Sequence, residues 1–232
     1  MTWDRDRFHA EVARADLFDA AYADDILVRL AHHSTAIEGN TLSLGDSFSL
    51  LVDEIAPAGA SLRELYEIAN HREGLQRAIT AVAAAEPLTV GLVRELHAAL
   101  MDHLLPDRGA FKLSSNIVVG AAFTPTPPER VPEAMRQWAE QTDWQTRRLE
   151  GAHLLEAIAH SHIAFERIHP FSDGNGRTGR LVLAYQTIFR FGVPAIVTAD
   201  LRSEYINLLE EQDARGLATM IARLLADELD RR

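Results

Sequence analysis

Apolar residues recur at helical spacing along most of the chain, and two blocks carry the pattern most clearly. Leu154, Leu155, Ile158, Ala159, His162, Ile163 and Phe165 mark one helix, and Leu181, Val182, Tyr185, Ile188 and Phe189 mark the next, which stops at Gly192. Weaker patterning predicts a helix within residues 1–22. A stronger one begins at Asp24 and Asp25, whose charges suit a helix start, and runs to Gly39 as its C-terminal cap. Ser43 with Asp46 and Ser61 with Glu64 each have capping-box spacing, predicting helices to Ile55 and to about Ala84. Pro87 and Thr89 open a further helix with Leu92, Val93, Leu96, Ala99 and Leu100 inward; others are expected over 133–148, 202–213 and 217–229.

One stretch breaks the rhythm. Ile117-Val118-Val119-Gly120, a β-branched run inside 109–123, predicts a small hairpin, and Pro125, Pro127, Pro128 and Pro132 make an extended connector after it. The expected fold class is therefore mainly α, a helical bundle with one small β-hairpin. No repeat or low-complexity tract divides the chain, so residues 1–232 read as a single domain.

Composition narrows the partners. The chain has 47% hydrophobic and 25% charged residues, ordinary for a soluble globular protein. A formal net charge of -11 argues against a nucleic-acid or anionic-membrane surface, both of which require basic patches. No apolar run follows the charged opening residues, so the expected location is cytoplasmic. The absence of cysteine excludes disulfides and thiolate catalysis. His71, His97 and His103 read as surface or capping histidines. His162 and Glu166, four apart, could share a metal, but core packing is the expected role.

The chemistry concentrates where the two best-patterned helices meet. The connecting sequence is His169-Pro170-Phe171-Ser172-Asp173-Gly174-Asn175-Gly176-Arg177-Thr178-Gly179-Arg180. Pro170 stops the first helix, and Gly174 and Gly176 permit a tight loop of exposed N–H groups. The second helix then starts near Asn175, with its positive end toward the same space. Arg177 and Arg180 share a face and can reach different oxygens of one polyphosphate. Asp173 repels phosphate unless Mg²⁺ lies between them, and His169 is the side chain able to take a proton from an attacking hydroxyl. The stretch reads as a phosphate site equipped for phosphoryl-type transfer.

These residues resemble, at every defining position, the motif of the Fic family, His-Pro-Phe-x-Asp/Glu-Gly-Asn-Gly-Arg-x-x-Arg. The resemblance covers a catalytic core from about 88 to 215, with 109–123 as a flap over the active site, and an inhibitory helix segment at 24–40. Ser34-Thr35-Ala36-Ile37-Glu38-Gly39 resembles the inhibitory motif Ser/Thr-x-x-x-Glu-Gly/Asn. It implies transfer of AMP from ATP to a hydroxyl of a Ser, Thr or Tyr on an unknown target protein, with His169 as base and Asp173 holding Mg²⁺. Gly174, Asn175, Gly176, Arg177 and Arg180 would receive the nucleotide's phosphates, and Tyr205 would border the adenine. It further implies that Glu38 pairs with Arg180 as a brake. A homodimer is compatible with this reading. Removal of AMP from a modified protein, another nucleotide donor, and a non-catalytic nucleotide-sensing module remain alternatives.

Overall fold

The computed structural model describes residues 5–116 and 123–232. Helices in chain order are α1 (Arg5–Ala15), α2 (Ala20–Ile37), α3 (Leu44–Leu51), α4 (Leu62–Ala83) and α5 (Val90–Leu100). They continue as α6 (Val131–Arg148), α7 (Gly151–Ile168), α8 (Asn175–Phe191), α9 (Arg202–Glu210) and α10 (Ala214–Arg231), with short 3-10 turns before α6 and α9. No strand occurs among the described residues, and the hairpin expected at 117–120 lies outside them. No helix among the described residues is long and apolar enough to cross a membrane.

The caps follow local chemistry. Ser43 and Ser61 each complete a capping box with Asp46 and Glu64, satisfying helix-start N–H groups in both directions. Two boundaries differ from the sequence reading. α2 begins at Ala20 because the Asp19 carboxylate accepts from Tyr22 N at 2.8 Å. Asp24 and Asp25 lie inside the helix, where Asp24 pairs with Arg5 and His9, and Asp25 with Arg29 at 2.5 Å. α3 stops at Leu51 rather than Ile55, since Leu50 and Leu51 are its last buried residues and Ile55 is exposed.

α8 runs through the middle of the core. Its residues Leu181 to Ile188 are all buried, and α2, α4, α5, α6 and α7 pack against it. A helix buried on every side has its orientation fixed by many neighbours. Its N-terminus is thus a rigid platform, and the His169–Arg180 stretch is built on it.

Candidate active site

α7 ends in a left-handed residue, His169, at φ 51° and ψ 60°, a conformation that costs a non-glycine residue energy and turns the chain sharply. The turn brings His169 Nδ1 within 3.3 Å of the Glu166 carbonyl. With Nδ1–H donating to that carbonyl, Nε2 is left as the basic nitrogen. Burial shifts the imidazole pKa below its ordinary value, favouring the neutral form able to accept a proton.

The loop beyond His169 is stapled to itself. Asn175 Oδ1 accepts from Phe171 N and its Nδ2 donates to Phe171 O, both at 2.9 Å. The Asn175 carboxamide therefore shapes the loop and faces backbone rather than the cleft. Gly174 sits at φ 75°, a left-handed conformation strained for any other residue, and a Cβ there would also push against the Met101 side chain. It caps α8 without a side-chain hydrogen bond, so the helix starts with N–H groups open to an anion.

An anionic group of the protein already lies there. A Cβ on Gly176 would collide with Glu38 Oε1, so the carboxylate rests directly on the first turn of α8. The same oxygen accepts from Arg180 Nη2 at 2.7 Å. Arg180 also donates from Nε to Ser34 Oγ at 3.0 Å and from Nη2 to Ser34 O at 2.8 Å. Ser34 in the last turn of α2 and Glu38, the residue that caps it, thus grip the same guanidinium. The Arg180 side chain is 4% exposed and that of Glu38 43%, placing the carboxylate at the rim of a cleft. Partial burial raises the Glu38 pKa, but Arg180 and then Arg177 outweigh it, leaving the carboxyl below its ordinary range and ionised. Arg202 Nε donates to Ile37 O at 2.8 Å and fixes the end of α2 from the opposite side.

Arg177 is treated differently. It is buried, with Glu67 at 3.5 Å and Asp173 at 3.7 Å, while its Nε and Nη1 have no hydrogen-bond partner. A buried guanidinium with donors left without hydrogen bonds, beside an open helix start, suits an anion. Asp173 is half exposed; its Oδ1 accepts from Gly174 N at 2.6 Å and its Oδ2 faces Arg63 at 3.3 Å. Among the described residues no cluster of three His, Cys, Asp or Glu could hold a metal. One carboxylate next to a phosphate site fits Mg²⁺ completed by phosphate oxygens and water, not a metal caged by protein alone.

The cleft between Glu38, His169, Gly176 and Arg180 continues to Tyr205 and Leu209, with a volume of about 200 Å³. Larger clefts, of about 780 and 590 Å³, lie by α1–α3 and beside Trp144, away from these residues. Tyr205 is fully buried, and its hydroxyl meets His162 Nε2 at 2.7 Å, which gives His162 a packing role. Asp213 caps α10 by accepting from Gly216 N at 2.9 Å. Lys112 is buried, and its Nζ donates to Asn116 Oδ1 at 2.6 Å.

Residues 87–187 match the Fic/DOC family. They form a Fic domain. A protein named protein adenylyltransferase Fic from Nematostella vectensis is 30% identical over 206 residues, covering 86% of this chain and 47% of its own length. Protein adenylyltransferase fic-1 from Caenorhabditis briggsae is 32% identical over 177 residues, covering 75% of this chain and 34% of its own. The chain therefore spans less than half the length of these curated relatives. The crystal structure of a Fic-domain-containing signalling protein from Bacteroides thetaiotaomicron superposes with a TM-score of 0.78 at 23% identity, covering 96% of this chain and 91% of the other. It shares the mainly helical Fic fold.

Two histidines that the sequence placed at the surface belong inside the helical scaffold. His71 and His97 are buried, and burial lowers their pKa values to about 3 and about 4, so both are neutral. His97 Nδ1 accepts from Gly109 N at 2.8 Å, its Nε2 meets the Asp173 carbonyl at 3.0 Å, and its ring stacks on Phe171 at 3.7 Å. It clamps the loop of Phe171 and Asp173 to Gly109. Glu67, which faces Arg177, is a residue the sequence did not single out. A lone His-x-x-x-x or Glu on a long helix carries no signal; only the meeting of α4 and α5 with α8 reveals them.

Proposed function

We propose that this chain is a protein adenylyltransferase held inactive by Glu38. The observation that carries the reading is the placement of one carboxylate on both the Arg180 guanidinium and the first turn of α8, in a cleft that also contains His169. An anion site filled by a movable side chain is a phosphate site with a stopper. The names of the curated relatives support the reaction type.

With Glu38 displaced, the ATP phosphates lie on the Gly174–Gly176 backbone, with Arg177 and Arg180 neutralising their oxygens. Asp173 would hold Mg²⁺, which when bound screens charge on the phosphates. A target Ser, Thr or Tyr hydroxyl oxygen attacks the α-phosphorus and its proton passes to His169 Nε2. The bond to the β-phosphate breaks, pyrophosphate leaves, and AMP stays on the target oxygen. Alignment and fixed charge supply most of the acceleration, because no covalent enzyme intermediate is needed. The adenosine takes the Tyr205 side of the cleft. The 109–123 segment serves as a flap that holds an extended stretch of the target by strand addition. Residues 1–232 act as one catalytic unit in the cytoplasm, as a monomer or homodimer.

The strength of the brake can be bounded. Opposite charges near 4 Å at an effective dielectric of about 20 attract by about 4 kcal/mol. The 43% exposure of Glu38 lets solvent screen roughly half of that. About 2 kcal/mol remains, a population bias of about thirtyfold. Such a brake holds without being permanent.

ATP labelled on the α- or the γ-phosphate, given to the Glu38→Gly protein, tests the reaction. Label on protein from the α-position only is expected; protein label from the γ-position would show phosphoryl transfer instead. His169→Ala should remove the label, with ATP binding retained. The ionised state of Glu38 beside His169 also favours a second reading, in which Glu38 orients water to release AMP from a modified protein. Release of AMP by wild type and not by Glu38→Gly would favour it.

A further inference from the structure

Glu67, on α4, occupies an unusual position for a glutamate on a long amphipathic helix. Its side chain is only 13% exposed, although its neighbour Arg63, with which it pairs at 3.0 Å, is 61% exposed. A surface i,i+4 pair has no need to bury its carboxylate. The reason lies behind it, where Arg177 is 4% exposed and has Glu67 Oε1 at 3.5 Å. A buried guanidinium needs a counter-charge, and among the described residues the carboxylates paired with Arg177 are Glu67 and Asp173. Arg63 closes the circuit by reaching Asp173 at 3.3 Å. Two cations and two anions thus alternate around the phosphate end of the site.

The other oxygen of Glu67 is engaged elsewhere. Asn40 Nδ2 donates to Glu67 Oε2 at 2.9 Å and also to Glu64 O at 3.2 Å. Asn40 itself is anchored, since its Oδ1 accepts from Leu42 N at 3.0 Å and its own N–H donates to Thr35 O at 3.0 Å. It stands two residues beyond Glu38. The stretch 34–40 therefore touches Arg180 directly, through Ser34 and Glu38, and reaches Arg177 at one remove, through Asn40 and Glu67.

We propose that Glu67 is a positioning residue for Arg177 and that Asn40 couples it to the segment carrying Glu38, so that one stretch of chain governs both arginines on the α8 face. This rests on the reading of Arg177 as a phosphate ligand. Glu67 Oε1 faces Arg177 Nη1 at 3.5 Å and Asp173 Oδ1 faces Nη2 at 3.7 Å, so Glu67 balances Asp173 and keeps the guanidinium from folding onto it, while Nε and Nη1 make no hydrogen bond. Without it, Asp173 becomes the sole counter-charge, and the donors meant for phosphate are drawn to the residue that should hold the metal.

The test is the affinity for ATP·Mg²⁺ by calorimetry in the Glu38→Gly background, with thermal unfolding as a check on folding. Glu67→Gln, which keeps the shape and removes the charge, is expected to weaken ATP about tenfold, and Asn40→Ala about threefold. If Glu67 works through Arg177, Glu67→Gln adds nothing to Arg177→Ala. If Asn40 works through Glu67, Asn40→Ala adds nothing to Glu67→Gln. A merely structural loss would add in full in both pairs. Unchanged or tighter ATP binding by Glu67→Gln, or additive losses, would overturn the proposal. If Arg177→Ala itself leaves ATP affinity unchanged, it is the phosphate reading of the site that fails.

Discussion

Arg177 and Arg180 are three residues apart on one helix, equally buried, and differently occupied. Arg180 is held through Nε and Nη2 by Ser34 and Glu38, while Arg177 has only distant carboxylates and keeps Nε and Nη1 without hydrogen bonds. A structural arginine is usually satisfied by its own protein, and a ligand-binding one is not. Here both kinds stand at one helix start. On the proposed reading, one phosphate-binding arginine still lacks hydrogen bonds and the other is taken by the carboxylate of Glu38, the residue that caps α2.

The largest expected effect breaks the comparison from both sides. In the Glu38→Gly background, Arg177→Ala and Arg180→Ala should each lower AMP transfer by roughly 10²–10³-fold, the usual cost of one preorganised charge donor. With Glu38 intact they part company. Arg180→Ala should make the presence or absence of Glu38 almost irrelevant to ATP affinity, whereas Arg177→Ala should leave the Glu38 effect in place. Titrations of the four combinations decide it.

A smaller effect concerns Glu166, which lines the cleft with Glu38 and Glu210 and whose Oε1 is buried without a hydrogen-bond partner. Burial pushes its pKa up to about 7 from 4.5, with Arg180 opposing the shift. The sign is opposite to that of a paired carboxylate. The unfolded chain releases this proton near pH 4.5 and the folded one near 7, so the folded state loses stability as pH rises between those values. Over that span the loss is at most about 3.5 kcal/mol, at about 1.4 kcal/mol per unit. Melting temperatures of wild type and Glu166→Gln across this range should converge at pH 4.5 and diverge toward neutrality, with the variant the more stable. Glu38, held below its ordinary pKa, contributes the reverse slope, stability lost as acid protonates it.

Ser34→Ala should have the smallest effect. It removes the hydroxyl that accepts from Arg180 Nε but leaves the Ser34 carbonyl in place. Losing one hydrogen bond to a charged group, about 1.5 kcal/mol, should loosen Arg180 and raise basal transfer about tenfold. A loss of activity instead would mean that Ser34 holds Arg180 ready for ATP.

Much of this site was legible in the sequence because its parts are contiguous. His169 to Arg180 fall in one loop and one helix turn, and glycine, proline and capping chemistry act over a few residues. Ser34 and Glu38 were placed on one helix face by spacing, and their partner came from resemblance to the Fic motif. What stayed hidden depends on distant pairs. His97 gives no sign in its own helix that it will meet the Asp173 carbonyl, and Glu67 reads as half of a surface pair with Arg63. Asn175 looked like a phosphate ligand by type, yet its carboxamide is consumed by the Phe171 backbone. The α2 start was misplaced because Asp24 and Asp25 resemble a helix opening, whereas their charges are matched to Arg5, His9 and Arg29.

Intact-mass spectrometry of wild type and Glu38→Gly, each incubated with ATP·Mg²⁺, tests the central claim most directly. Glu38→Gly should gain the mass of AMP on itself or on an added protein target much faster than wild type, by about thirtyfold if the screened ion pair is the whole brake. Equal AMP incorporation by the two proteins would contradict the account of Glu38 as the stopper of the phosphate site.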